Sequence, residues 1–155
     1  ERLCEVDFVV SHGGPSGLSS REYGMYSRPL RFRRLSDGTT AAVTSFHEHY
    51  PWVHAICGIG NPDRFLRSLT DLGISVEPHV YPDHHGYTGE EIDFAGGVTV
   101  VCTDKDAIKL SELDINLSHV WALEIAAELD AEFTAALMAR LDDLDIVPAQ
   151  PIEPV

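Results

Sequence analysis

The chain has 155 residues, is 44% hydrophobic and carries a net charge of −14, which suits one domain with a real core, or one and a fraction. It holds no run of eighteen apolar residues, so no segment reads as a membrane span. Residues 1–50 are balanced, with six Lys/Arg and six Asp/Glu, whereas residues 51–100 carry two and seven and residues 101–155 three and twelve; so acidic a chain is excluded from non-specific nucleic-acid binding, which needs a basic face.

The start, Glu1-Arg2-Leu3-Cys4-Glu5, has neither an initiator Met nor the shape of a signal peptide and reads as the middle of a longer protein. Val6–Val10 then reads as a buried strand running into the glycine-rich turn Ser11-His12-Gly13-Gly14-Pro15-Ser16-Gly17. A strand feeding a glycine-rich loop has the outline of a phosphate cradle, but no Gly-Lys-Ser/Thr follows, and a plain tight turn is the favoured reading. Residues 29–46 predict a β-hairpin: Leu30, Phe32 and Leu35, an Asp37-Gly38 turn, then Ala41, Val43 and Ser45-Phe46.

From Trp52 the pattern becomes α/β. Val53–Cys57 is a buried strand, Gly58-Ile59-Gly60 a turn, Asn61 an N-cap and Pro62 a first helical residue, with Phe65, Leu66, Leu69 and Leu72 on one helix face and Gly73 as its stop. Ile74–Val80 is the next strand. Thr88 and Glu91 form a capping-box pattern, Val98–Cys102 is another strand, and Thr103 caps a helix through Asp106. Val120–Leu123 is a strand, and Asp130 caps a last helix with Phe133, Leu137, Leu141 and Leu144 on one face. The tail Pro148–Val155 is expected to be disordered. Such alternation gives a parallel sheet with right-handed crossovers.

Chemistry concentrates at Asp83-His84-His85, just after an apolar strand, because ligands of open α/β sheets bind off the carboxyl ends of strands. A carboxylate beside imidazoles there points to acid–base work or a metal; adjacent residues point apart, so one functional His and one bystander are expected. Thr103-Asp104-Lys105-Asp106 opens a helix after a buried strand, either as an anion site or as plain capping with Lys105 and Lys109 solvated. The basic cluster Arg28, Arg31, Arg33 and Arg34 reads as a solvated hairpin, with contact to anionic lipid or phosphate as the alternative. His47 and His49 would share a face only if they lay on a strand. Cys4, Cys57 and Cys102 form no disulfide or zinc framework and point to a reducing, cytoplasmic setting.

In order and spacing these pieces resemble the tetraacyldisaccharide 4′-kinase family, the lipid A kinases of Gram-negative bacteria. The matching stretches are Arg2-Leu3, Val6–Val10, Gly13-Gly14, Glu22-Tyr23-Gly24-Met25, Ala55–Pro62, Arg64-Phe65, Leu72-Gly73, Pro82-Asp83-His84-His85 and Thr103–Lys109. The family shows Asn where His12 stands and Glu where Asp104 stands. The resemblance covers only the family's C-terminal half. It implies an α/β fold: a Rossmann-like, mostly parallel sheet lobe with helices on both faces, preceded by a β-hairpin linker. Residues 1–28 would end the N-terminal kinase lobe, 29–46 would be the linker, and 52–145 the C-terminal lobe.

The activity so implied is transfer of the γ-phosphate of ATP, with Mg²⁺, to the 4′-hydroxyl of a tetraacyldisaccharide 1-phosphate, giving lipid IVA at the cytoplasmic face of the inner membrane. ATP and Mg²⁺ would be bound mainly by the N-terminal lobe, so this chain by itself is expected to be inactive. The family's Asp-His motif falls on Asp83 and His84, with His84 pairing to an Asp of the N-terminal lobe. His85, Thr103, Lys105 and Asp106 are site-adjacent, and Arg31 and Arg33 are candidate phosphate or lipid contacts in a peripheral membrane association. The competing readings are a metal-dependent phosphoesterase using Asp83-His84-His85, and a non-catalytic interaction module.

Overall fold

The computed structural model describes residues 5–17, 19–93 and 97–144. In chain order the elements are β1 (Val9–His12), β2 (Glu22–Arg34), β3 (Thr40–Ala42), α1 (Phe46–His49), β4 (Trp52–Cys57), α2 (Pro62–Asp71), β5 (Ser75–Val80), α3 (Glu90–Asp93), β6 (Val100–Thr103), α4 (Asp104–Ser111), β7 (Val120–Leu129) and α5 (Ala131–Asp143). They fall into two units, residues 28–126 and residues 1–27 with 127–155.

In the larger unit β4 lies at the centre, parallel to β5 on one side and to β6 on the other, and β6 is parallel to β7. Successive strand residues face opposite ways, and both faces are apolar. Val53, Ala55 and Cys57 bury one face with Val101, Trp121 and Leu123 against Phe65 and Leu69 of α2. Ile56 buries the other with Val100, Cys102, Val120 and Ala122 against Ala107 and Leu110 of α4. The expected mostly parallel sheet with helices on both faces is therefore present. The continuous apolar runs of β4 and β6 follow from double-sided burial. β5 is an edge strand, which lets it accommodate Pro78.

The loop signals hold where they rest on backbone chemistry. At the Asp37-Gly38 turn Gly38 takes φ +72°, the Thr39 N–H donates to Asp37 Oδ1 at 3.0 Å, and β2 pairs antiparallel with β3. α2 ends in a Schellman motif: Gly73 has φ +79°, its N–H donates to the Thr70 carbonyl at 2.9 Å, and the Ile74 N–H reaches the Leu69 carbonyl at 3.2 Å.

Four expectations are corrected. The second hairpin strand stops at Ala42, and Phe46 opens α1 instead, because its buried ring stacks on Phe32 at a centroid distance of 3.7 Å. β7 runs on to Leu129, since Glu124 meets Arg31 and Arg33 of the neighbouring β2; a Glu-Ile-Ala-Ala-Glu run carries little strand signal of its own. The first strand is Val9–His12 rather than residues 6–10. Asn61 makes no side-chain cap to α2. The predicted disorder of Pro148–Val155 concerns residues outside those described, as does Cys4.

In the smaller unit β1 runs parallel to the first residues of β2, and the rings of Phe8, Tyr23 and Phe133 meet edge-on with centroids 5.4–5.9 Å apart. Asp130 precedes α5 without a side-chain cap; its carboxylate accepts the Gly24 N–H at 2.5 Å instead. A Cβ on Gly24 would lie 2.8 Å from Tyr26 Oη and 2.9 Å from Asp130 Oδ2. Gly24→Ala is therefore expected to destabilise the protein by about 1–3 kcal/mol, read as a lowered urea midpoint with an unchanged m-value.

Candidate functional site

Because β4, β5 and β6 are parallel neighbours, their C-terminal ends bring three loops to one edge of the larger unit: Gly58–Asn61, Pro82–Tyr87 and the start of α4. At their junction sits Asp106, a charged side chain with no exposed surface. Its Oδ2 accepts the Gly58 N–H at 3.0 Å and the Thr103 hydroxyl at 2.6 Å, while the Asp106 N–H donates to Thr103 Oγ1 at 3.2 Å. The predicted Thr103 cap is thus present and reciprocal. Gly58 sits at a close approach: a Cβ there would lie 3.2 Å from His85 Cβ, the Pro82 carbonyl oxygen and Tyr87 Oη alike, so each neighbour would have to give by a few tenths of an ångström.

The Asp83-His84-His85 triplet splits three ways. Asp83 Oδ1 receives Lys105 Nζ at 2.9 Å and the His84 N–H at 3.0 Å; the Lys105 hydrogen bond, aided by the neighbouring His84, holds the Asp83 carboxyl below its ordinary pKa. His84 has φ +62°, a left-handed conformation that costs a residue with a Cβ about 1–2 kcal/mol. Its imidazole is 78% exposed, with Nε2 3.7 Å from Asp83 Oδ2. His85 turns inward: Nε2 lies 2.9 Å from Glu91 Oε1, and its ring stacks on Tyr81 at 4.5 Å. Three side chains with three different partners do not converge on a metal, which removes the support for the phosphoesterase reading. Among the described residues no group of three or more His, Cys, Asp or Glu is placed to hold a metal ion.

Sequence reasoning missed Glu91 and Lys109 as parts of this site. Glu91 does serve Thr88, accepting from its N–H at 3.0 Å and its hydroxyl at 3.2 Å, but the same carboxylate also holds His85. Lys109, solvated in one of the two readings of this helix start, donates to the His85 carbonyl at 2.9 Å. The available signal was its four-residue spacing from Lys105, which puts both lysines on one helix face.

The other candidates resolve as follows. Arg31 Nε and Arg33 Nε each lie 2.5 Å from a different oxygen of Glu124, and Arg33 also reaches Asp104 at 3.2 Å; the pair shares an acid while both side chains stay partly exposed. The Glu124 hydrogen bond holds the Arg33 guanidinium above its ordinary pKa. The glycine-rich turn is not a phosphate cradle: the Ser11 and Ser16 hydroxyls and the Gly17 N–H all donate to the Glu22 carboxylate. His47 and His49 lie in α1, where positions i and i+2 do not share a face. Instead His54 Nδ1 and His79 Nε2 meet across β4 and β5 at 2.9 Å, a contact without local spacing. Burial pushes the Cys57 thiol up to about 11 and Cys102 higher still, so neither is a nucleophile at neutral pH.

Beside the three loops lies a crevice of about 310 Å³, with Ile59, Phe65, Leu123 and Ile125 among its walls together with Asn61, Arg64 and Lys105.

The His85–Glu91 pair carries a pH dependence. Burial works to raise the Glu91 pKa, but hydrogen bonds from His85 and from backbone N–H groups outweigh it and hold it at about 2, against 4.5 ordinarily. A carboxyl depressed in the folded state contributes stability that is full above the unfolded value and is lost as pH falls toward the folded one. Stability should therefore fall between pH 4.5 and about 2, and Glu91→Gln should flatten that slope in urea titrations; an equally steep variant would show that another group controls this window.

Residues 1–142 match the family model described as tetraacyldisaccharide-1-P 4′-kinase. The chain is 42% identical to the tetraacyldisaccharide 4′-kinase of Alcanivorax borkumensis over 83% of its own length and 38% of that protein's. It is 37% identical to that of Hahella chejuensis over 92% of its length and 41% of the relative's. The crystal structure of LpxK from Aquifex aeolicus with ATP superposes with a TM-score of 0.60 at 23% identity, covering 90% of this chain and 44% of that one, and so shares its fold. The chain thus spans about two fifths of the length of the relatives it matches. A match over nearly all of its residues, with the Asp-His and Thr-x-Lys-Asp loops gathered at one sheet edge, makes this chain a member of the tetraacyldisaccharide-1-P 4′-kinase family.

Proposed function

We propose that this chain is the C-terminal part of a lipid A 4′-kinase, which transfers the γ-phosphate of ATP to the 4′-hydroxyl of a tetraacyldisaccharide 1-phosphate to give lipid IVA. Residues 1–28 would end its N-terminal lobe, residues 29–46 link, and residues 52–145 hold the C-terminal lobe, although residues 127–144 group with residues 1–27 as one compact unit. The single observation that carries the reading is the family match across residues 1–142. The site supports it chemically, because phosphoryl transfer depends on positioning and charge rather than on a covalent intermediate.

His84 is the catalytic residue of this part. Its imidazole is exposed at the edge of the larger unit, available to an Asp of the N-terminal lobe that acts toward the sugar hydroxyl. The pairing sets the orientation and charge of that Asp, which takes the hydroxyl proton as the hydroxyl oxygen bonds to phosphorus and the bond to the ADP oxygen breaks. Asp83 is the neighbouring anion; bound to Lys105 and to the His84 N–H, it fixes where His84 starts. Lobe closure brings the two halves together.

The phosphoryl group comes from bound ATP. Magnesium has no fit among these residues: Asp83 is taken by Lys105, and Asp106 is buried on Gly58 and Thr103. On this reading the metal and the bulk of the nucleotide are held by the N-terminal lobe. Use of ATP on a lipid substrate suits an enzyme working at the cytoplasmic face of the inner membrane. Arg31 and Arg33 each give their Nε–H to Glu124, and their other guanidinium N–H groups are the donors that would meet a lipid phosphate. Among the described residues no helix is long and apolar enough to cross a membrane, and the association proposed is peripheral.

The test uses the protein from the complete reading frame. His84→Ala is expected to lower kcat by roughly 10²-fold or more, the range of a lost acid–base contributor, in a coupled ADP-release assay with the disaccharide 1-phosphate. A kcat equal to wild type would remove His84 from the mechanism, and no phosphorylation of that lipid by the wild-type protein would remove the function.

A further inference from the structure

α4 reaches the loop after β5 with two lysines, one on each side of His84. Lys105 Nζ lies 2.9 Å from the Asp83 carboxylate, which also accepts the His84 N–H at 3.0 Å. Lys109 Nζ donates to the carbonyl oxygen of His85 at 2.9 Å. The residues flanking the left-handed His84 are thus both tied to one rigid helix.

Lys109 is itself held in place. Its ammonium lies 3.6 Å from Asp106 Oδ1 and 5.6 Å from the centre of the Tyr87 ring. Asp106 Oδ1 is buried and accepts no hydrogen bond, while Oδ2 is committed to Gly58 and Thr103. A buried carboxylate with one satisfied oxygen needs a nearby cation, and Lys109 meets that need. The same ammonium then has a fixed direction in which to aim a second donor, and that direction ends on the His85 carbonyl. Lys109 meets the loop at the His85 carbonyl, whereas the His84 ring points to solvent, so its effect on that ring passes through the backbone.

We infer that Lys109, anchored by the buried Asp106 carboxylate, is a positioning residue that holds His84 in its left-handed conformation by fixing the carbonyl that follows it, as Lys105 fixes the carboxylate that precedes it. The inference rests on the assignment of His84 above. A clamp acting only through His84 should change turnover rather than substrate binding, and should lose its effect when the imidazole is gone.

The experiment measures kcat and both KM values in the protein from the complete reading frame, for Lys109→Met and Lys109→Gln in wild-type and His84→Ala backgrounds, with each variant's melting temperature checked. With His84 present, kcat should fall roughly 10-fold while each KM stays within about twofold, as for a misplaced catalytic group. With His84→Ala, the same substitutions should change kcat by less than about twofold, the signature of two residues acting as one unit. Unchanged kcat, an equal loss in both backgrounds, or failure of both variants to fold would each overturn the clamp. If His84→Ala itself leaves kcat intact, the assignment of His84 falls and the clamp with it; if His84→Ala is damaging and the lysine variants are silent or additive, the clamp alone falls.

Discussion

The architecture of this chain's site depends on one buried carboxylate. Asp106 lies at the third position of α4, with no exposed surface, where an unpaired ion would cost several kcal/mol. Four features make it tolerable: the Gly58 N–H, the Thr103 hydroxyl, the nearby Lys109 ammonium and the positive end of the helix dipole. The Gly58 N–H follows β4, the Thr103 hydroxyl and the helix dipole lie at the end of β6, and Lys109 leads to the loop after β5, so satisfying this charge brings three loops together. Its field reaches further. Together with burial, it pushes up the pKa values of Cys57, Cys102 and Tyr87, keeping the groups around it neutral.

The sheet explains why such a charge can be used. With apolar residues on both faces, β4 and β6 are locked in register, and the loops at their ends inherit that rigidity. β5 is different. As an edge strand with a proline and an exposed Val80, it has less holding it, and the loop after it carries the one residue other than glycine found at positive φ among the described residues. That residue is His84. A strained residue in the loop after an edge strand needs outside support, and the support comes from α4 through lysines on either side. The acidic surface fits the same arrangement: Arg31, Arg33, Lys105 and Lys109 each have an acid partner or a carbonyl. Arg31 and Arg33 share Glu124, Lys105 holds Asp83, and Lys109 serves Asp106 and His85.

Much of the fold was legible where the cause is local. Asp37-Gly38 makes a turn because glycine enters φ > 0 freely; Gly73 ends α2 for the same reason; Thr103 three residues before Asp106 is a cap by covalent spacing alone. The family resemblance needed only ordered motifs, and the match across residues 1–142 agrees with it. Other local signals misled. Asn61 and Asp130 have the residue types of helix caps, yet neither side chain caps, because for Asp130 the Gly24 N–H, 106 residues away in the chain, is the closer donor. Phe46 looked like the end of a strand until a partner ring, Phe32, drew it into a helical turn.

By itself the sequence determined the alternation of strands and helices, the family, and the presence of a carboxylate and two imidazoles after the third strand of the α/β pattern's larger unit, counted from β3. These follow from hydrophobic period, turn chemistry and motif order, all of which act over a few residues. Only the tertiary structure decided which imidazole faces solvent, that His85 belongs to Glu91, that His54 meets His79, and that Lys109 grips the loop rather than water. Those pairings join elements that the chain separates and the sheet brings side by side, so they exist only once the parallel register is set.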